Sequence, residues 1–197
     1  NHNYLKLKFR LIPNKFHYVY LTHDNNKHPM YQKFHLLHYL CIKSAIEVNN
    51  PDEVNVYCNQ EPKGKWWKKI RDEVNVVMIE PPTEIFGKPI TELAHMSDVI
   101  RLQVLLEEGG IYTDMDTISV KPYGDLLNNK FVLGQQGVGG SEGLCPAVIM
   151  SEKDSHFGKQ WLYGFNDTFK GGPPGSDGWC THSVYYPLQL AKSIPDS

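Results

Sequence analysis

The sequence predicts an α/β layer fold, a single domain with a mainly parallel central sheet flanked by helices. Three observations carry this expectation. Short runs rich in β-branched and aromatic residues alternate with longer stretches of helical periodicity, the pattern of strands joined by helical crossovers. The 197 residues suit one domain with one hydrophobic core. No internal repeat or low-complexity tract divides the chain.

The elements follow in order. "KFHYVYL", Lys15 to Leu21, reads as the first strand, and the polar "THDNNKHP" after it as a loop. Tyr31 to Val48 carries apolar residues at helical spacing and is stopped by "NNPD". "EVNVYC" alternates as a strand does, with Val54 and Val56 on one face. "GKWWKKIRDEV" predicts a short helix in which Trp66 and Trp67 cover the sheet, and "NVVMIE" a strand ended by Pro81-Pro82. The breakers in "PTEIFGKPITEL" predict a loop. The longest helix signal is "LAHMSDVIRLQVLLEEGG", with Val99, Leu102, Leu105 and Leu106 on one side and Gly109-Gly110 as its stop. "IYTDMDTISV" is strand-like on both sides of its aspartates. "KFVLG", the Gly-rich "QQGVGGSEG", "PAVIMS" and two amphipathic stretches complete the chain.

Bulk properties exclude several classes. With 41% hydrophobic and 21% charged residues the chain is an ordinary globular composition. A net charge of -2 provides no basic field for nucleic acid or an anionic membrane, and no apolar run is long enough to span a bilayer. Cys41, Cys58, Cys145 and Cys180 form no CxxC pair, which argues against a zinc ribbon or a thioredoxin-like site; free thiols and one or two disulfides both fit. "NDT", Asn166 to Thr168, fits an N-glycosylation acceptor. The start "NHNYLKLKF", without methionine or signal peptide, reads as an excised or processed piece.

Chemistry concentrates in "GGIYTDMDTIS", Gly109 to Ser119. In an extended backbone, residues at i and i+2 share a face, roughly 6.5–7 Å apart. Asp114 and Asp116 are therefore expected to project together while Met115 turns toward the core. Converging carboxylates repel unless a cation sits between them, and oxygen ligands suit Mg²⁺ or Mn²⁺. In open α/β sheets ligands collect at the carboxyl ends of strands, where this pair falls. Among 22 acidic residues one such pair also arises by chance, as a solvated turn. An EF-hand loop is excluded, because Ile118 and Ser119 occupy its ligand and glycine positions. A polymerase-β-type nucleotidyltransferase needs its Gly-Ser before the pair, whereas Gly140-Ser141 follows it. Upstream, Asp98 and Arg101 lie three apart on a helix and share a face. They make either a surface ion pair of little consequence or a polar pair aimed at the same cleft.

"SDVIRLQVLLEEGGIYTDMD" resembles the signature of the DXD-containing sugar transferases of glycosyltransferase family 32. That family includes yeast Golgi mannosyltransferases and, more distantly, animal α1,4-galactosyl- and α1,4-N-acetylglucosaminyltransferases; large clostridial glucosylating toxins share a related arrangement. The pattern is a Ser-Asp-x-x-Arg helix, a leucine, Gly-Gly-x-Tyr, then Asp-x-Asp. "IPNKFHYVYL", Ile12 to Leu21, is similar to the family's opening strand, with Tyr20 where tryptophan is usual. "HSVYYPLQLAK" is a looser match near the end, so the likeness runs from about Ile12 to Lys192.

The resemblance implies a GT-A fold, Rossmann-like, with the chain 1–197 as a glycosyltransferase catalytic domain whose C-terminus, and any late metal ligand there, lies beyond this piece. It implies a UDP- or GDP-hexose donor, a glycan, glycolipid or protein acceptor, and Mn²⁺ or Mg²⁺. Asp116 is then expected to bind the metal directly, and Asp114 to reach the ribose or donor sugar while helping to hold the ion. Asp98 and Arg101 are expected to hydrogen-bond the donor sugar, Tyr20 to stack on the base, and His17 and Tyr18 to line the nucleotide end of the cleft. For Tyr20, packing in a central strand is the competing reading. Family members retain anomeric configuration, and as no nucleophile stands out, front-side attack is favoured. A Golgi lumen location follows from the relatives and the sequon, with the cytoplasm as alternative.

Other residues are less diagnostic. Trp179, in the breaker-rich "GGPPGSDGWCTH" with His182 nearby, is either an exposed acceptor platform or a packed loop anchor. "QQGVGGSEG" is either a loop beside the acceptor or a turn. His35, His38, His95 and His156 lack ligand spacing and read as surface or satisfied core residues. The competing function is a non-catalytic module that binds glycans or nucleotide sugars without turnover. Clustered carboxylates favour the enzyme over it.

Overall fold

The computed structural model describes residues 10–23, 33–140 and 142–194. Most of the loop after Leu21, the helix start expected at Tyr31, and Ser141 lie outside these residues. The strands are β1 (Lys15–Tyr20), β2 (Glu53–Cys58), β3 (Asn75–Met78), β4 (Glu84–Ile85), β5 (Lys88–Pro89), β6 (Gly110–Thr113), β7 (Phe131–Gln136) and β8 (Gly143–Ser151). The helices are α1 (Leu36–Asn49), α2 (Lys65–Ile70), α3 (Leu93–Glu108), α4 (His156–Thr168) and α5 (Tyr186–Ser193).

Six strands form one sheet in the order β3-β2-β1-β6-β8-β7, while β4 and β5 make a separate small hairpin inside the expected loop. β1 pairs in parallel with β2 and β6, and β2 with β3. β8 alone runs against both its neighbours, with an irregularity at Leu133/Gly134. The chain therefore leaves β1 toward β2 and β3 and returns on the other side as β6. This makes the carboxyl end of β1 a topological switch point, where open α/β sheets hold their ligands.

Period-2 alternation in β1 divides its side chains between two layers. Phe16, Tyr18 and Tyr20 join Cys41, Ile42 and Ala45 of α1 and Trp67 and Ile70 of α2 in one core. Val19 and Leu21 join the buried face of α3 (Val99, Leu102, Leu105) with Trp161 and Phe165 of α4 and Leu190 of α5 in the other. The expected central sheet flanked by helices is what forms, and Trp67 covers the sheet as expected while Trp66 is only partly buried. α1 begins at Leu36, later than its periodicity implied, because His35 and His38 close its first turn.

The Gly109-Gly110 break does more than stop α3. Gly109 adopts φ +69° and its N–H caps Leu105 O at 2.9 Å. Gly110 adopts φ +111°, and a Cβ there would lie 2.7 Å from Lys15 O and 2.8 Å from His17 Nε2. The second glycine lets β6 slide against β1, which sets where the aspartates emerge. All four cysteines are free, which resolves the disulfide alternative. No helix among the described residues is long and apolar enough to cross a membrane.

Candidate active site

The extended geometry expected for the aspartate pair is not what forms. β6 ends at Thr113, and Asp114 to Thr117 make a turn in which Thr117 N–H donates to Asp114 O at 3.2 Å. The same carbonyl accepts from Thr117 Oγ1 at 2.8 Å and from Cys41 Sγ of α1 at 3.2 Å, and Thr113 and Thr117 share a short hydroxyl contact. Asp114 N–H donates to Ala147 O of β8 at 2.8 Å. Hydroxyl and thiol groups thus compete successfully with the strand ladder. Met115 packs against the first core, as its alternation implied.

The two carboxylates have different surroundings. Asp114 Oδ1 accepts from the Tyr112 hydroxyl at 2.6 Å and lies 3.5 Å from Arg101 Nη2; Oδ2 has no partner among the described residues. Asp116 is exposed. Its negative charge raises the proton affinity of His38, which nonetheless titrates below the ordinary imidazole range because burial and His35 oppose it.

Below the turn lies a buried polar seam. Asp98 is 7% exposed and Arg101 6%, so the pair is not a surface ion pair. Arg101 Nη2 lies 3.3 Å from Asp98 Oδ1, Nη1 donates to Pro146 O at 2.8 Å, Nε donates to Ser97 O at 3.2 Å, and the guanidinium covers the Tyr112 ring at 4.4 Å. Burial works against its charge, but Tyr112, Asp114 and Asp98 more than offset this and raise its pKa further. Asp98 and Arg101, expected at the donor sugar, are here paired with each other, and Arg101 also with backbone and with Asp114.

A cavity of about 930 Å³ opens at the switch point beside this seam. The end of β1 supplies Tyr20 and Leu21, the start of α1 His35 and His38, the start of α3 Leu93 and Ser97, and the turn Met115. Tyr20 therefore meets the cleft while its ring packs on Phe34 and His38, at centroid distances of 5.9 and 5.6 Å. His17 and Tyr18 do not line this cavity. They sit earlier on β1 and are 1% and 0% exposed. His17 Nε2 bonds Gly109 O at 2.9 Å and Nδ1 the Tyr57 hydroxyl at 3.2 Å, so the ring buttresses the α3–β6 break.

Trp179 is half-buried, with its ring 4.6 Å from that of His95, so it is packed rather than exposed. His95 is buried, one of the two alternatives expected for it, and neither ring nitrogen makes a hydrogen bond of good geometry among the described residues. It stands with Asp98 and His182, the ligand atoms of all three lying within 4.8 Å of one another. The helical spacing of His95 and Asp98 was a usable signal, but His182 reaches them only through the fold. The roles of His35 and His38 at the cavity were likewise hidden, since the cavity exists only where α1, α3 and β1 meet.

Residues 4–133 match the family described as "Glycosyltransferase sugar-binding region containing DXD motif". Glucan organizing enzyme 1 of Cryptococcus neoformans var. grubii serotype A is 34% identical over 197 residues, covering 96% of this chain and 52% of that protein. The chain thus spans about half the length of that relative. Among solved structures, the PaToxG glycosyltransferase superimposes with a TM-score of 0.66 at 16% identity, over 93% of this chain and 70% of the other. A transferase mutant does so at 0.55 and 13%, over 94% and 87%. At such identities the likeness is one of fold, and the fold is the GT-A arrangement that the sequence resemblance implied.

Proposed function

Since this chain belongs to the family of glycosyltransferase sugar-binding regions containing a DXD motif, we propose that it transfers a hexose from a UDP- or GDP-sugar to a hydroxyl, with a divalent ion and with retention of anomeric configuration. The observation that carries this reading is the position of Asp114. Arg101 and Tyr112 hold one carboxylate oxygen of this residue, next to Met115, which lines the cavity at the sheet's switch point, and the other oxygen has no partner among the described residues. The donor set fits a hard divalent ion, Mn²⁺ or Mg²⁺: Asp116 is exposed, one residue beyond the cavity-lining Met115, and Asp114 Oδ2 has no partner among the described residues. When bound, the ion neutralises the diphosphate as it leaves.

The chain's own residues supply the rest. Arg101, permanently charged, fixes Asp114 so that the pair need not reorganise as the donor arrives. Asp98 fixes Arg101 in turn. Tyr20 offers its ring edge to the base, backed by Phe34 and His38. Retention follows if the acceptor oxygen bonds to the anomeric carbon on the face from which the diphosphate departs. The carbon–phosphate-oxygen bond breaks, and the acceptor proton passes to that oxygen. The name of the cryptococcal relative supports a glycan as the acceptor. The eukaryotic relative and the sequon favour the Golgi lumen over the cytoplasm.

Calorimetry with a panel of UDP- and GDP-sugars, with and without Mn²⁺, tests the reading. Wild type is expected to bind one nucleotide class only with the ion, and Asp116→Ala to lose that binding. Metal-independent binding, or none, sinks it. Metal-dependent binding without hydrolysis or transfer to any glycan makes the chain a non-catalytic module.

A further inference from the structure

We propose that His95, Asp98 and His182 form a second metal site, separate from the Asp114/Asp116 pair, that takes a borderline divalent ion such as Zn²⁺. The three side chains are buried, at 1%, 7% and 0% exposure. Among the described residues, neither ring nitrogen of His95 nor Nδ1 of His182 makes a hydrogen bond of good geometry, the nearest backbone group to His95 being that of Trp179. Buried imidazoles ordinarily find partners for both nitrogens, as His17 does in this same protein. Two adjacent rings that fail to do so, converging on one carboxylate, have the chemistry of a ligand set.

The geometry needs only small adjustment. Ligand atoms on one tetrahedral zinc, at bond lengths of about 2.0–2.2 Å, stand about 3.3–3.6 Å apart. His182 Nε2 and Asp98 Oδ2 are already 3.0 Å apart, and no pair in the trio exceeds 4.8 Å. His95 and Asp98 are fixed one turn apart on α3. His182 lies in a wide π-type turn, Thr181–Tyr185, whose carbonyl at His182 accepts from Trp161 Nε1 at 2.8 Å. Such turns recur at functional sites. Asp98 Oδ1 is ion-paired with Arg101, which leaves Oδ2 toward His182 and supplies the outer polar contact that metal ligands commonly carry.

The surroundings select the ion. Phe165 and Phe169 pack edge-on to His182 at 4.8 and 4.9 Å, and Phe169 and Trp179 enclose His95 at 5.4 and 4.6 Å. An apolar box with two imidazoles suits Zn²⁺ or Co²⁺ rather than Mg²⁺, which keeps its waters. The oxygen-only pair at the turn has the opposite preference. A bound ion would clamp α3 to the 181–185 turn through Asp98, the residue that seats Arg101.

Cobalt titration of the metal-stripped chain at about pH 8, where free imidazole is neutral, tests this. Wild type and the Asp114→Asn/Asp116→Asn double variant are both expected to bind one equivalent of Co²⁺ with visible absorption typical of nitrogen-ligated four-coordinate cobalt, displaced by Zn²⁺. His95→Gln is expected to lose the absorption while keeping its near-UV circular dichroism, because glutamine is close in size and the ring makes no well-formed hydrogen bond among the described residues. Zn²⁺ should raise the Tm of wild type and of the double variant by several degrees and leave that of His95→Gln unchanged. The proposal falls if the double variant loses cobalt binding, if His95→Gln retains it, or if folded wild type shows none. Each outcome is independent of whether a nucleotide sugar binds at the turn.

Discussion

Asp98 and Asp116 stand at either end of the motif joined through Arg101 and Asp114 and have opposite environments. Asp98 is buried with both oxygens engaged, one by Arg101 and one by His182. Asp116 is exposed and bonded to nothing among the described residues. Burial makes a carboxylate structural, since removing a partner leaves an uncompensated charge in low dielectric. Exposure keeps a carboxylate available, since water is its only ligand until another arrives. Asp114 lies between these extremes, with one oxygen committed and the other open, and so connects rigidity below to chemistry above.

The sharpest way to break this comparison is to remove Arg101. Arg101→Ala strands Asp98 and frees Asp114, and is expected to lower unfolding free energy by about 3–5 kcal/mol in urea titrations. Asp116→Asn should leave stability within about 0.5 kcal/mol of wild type while abolishing metal-dependent donor binding. Equal stability losses in the two variants would erase the distinction. A second test falls on the break that positions both regions. Gly110→Ala meets backbone at 2.7 Å from a positive φ and should destabilise by about 2–4 kcal/mol. Gly124→Ala, also at positive φ but with nothing within 4 Å, should lose only the strain, about 1 kcal/mol.

How much of this was legible in the sequence follows the same division between local and long-range causes. The alternation in "KFHYVY" and the stripe Val99, Leu102, Leu105 are local patterns, and they placed the sheet and its helix correctly. The Asp98–Arg101 pairing was legible because helical spacing alone brings the two together. The Asp114–Thr117 turn was not, because Cys41 from α1 and Ala147 from β8 stabilise it across 73 and 33 residues of sequence. The His182–Asp98 contact spans 84 residues and left no periodic trace. The burial of Tyr18 and His17 was not legible either, because a motif fixes a residue's position on a strand but not how far along it the cleft begins.

Histidine titration gives a smaller effect that reports on the buried side. Burial pushes the pKa of His17 below its ordinary value, against the favourable pull of Gly109 O. Below about pH 6.5 the unfolded imidazole takes up a proton that the folded one refuses. The unfolded state then binds more protons, so stability is level above that pH and falls as pH drops below it. His17→Gln should flatten part of this decline in urea midpoints measured across the range. An unchanged slope would mean that His17 is not the group responsible.

A last comparison sets two tyrosines against each other. The Tyr20 hydroxyl is buried without a partner among the described residues, and burial, with Cys58 adding to it, pushes its pKa up to about 12. The Tyr112 hydroxyl donates to Asp114. Tyr112→Phe should therefore destabilise by about 1.5–3 kcal/mol, the range for a bond to a charged group, whereas Tyr20→Phe should be neutral or stabilise by up to about 1 kcal/mol. Because the ring is retained, Tyr20→Phe should also leave nucleotide affinity unchanged, while Tyr20→Ala weakens it. A loss of affinity in the phenylalanine variant would show that the hydroxyl, and not the ring, meets the base. The partnerless buried oxygen would then be a group waiting for its ligand, as Asp116 is on the exposed side.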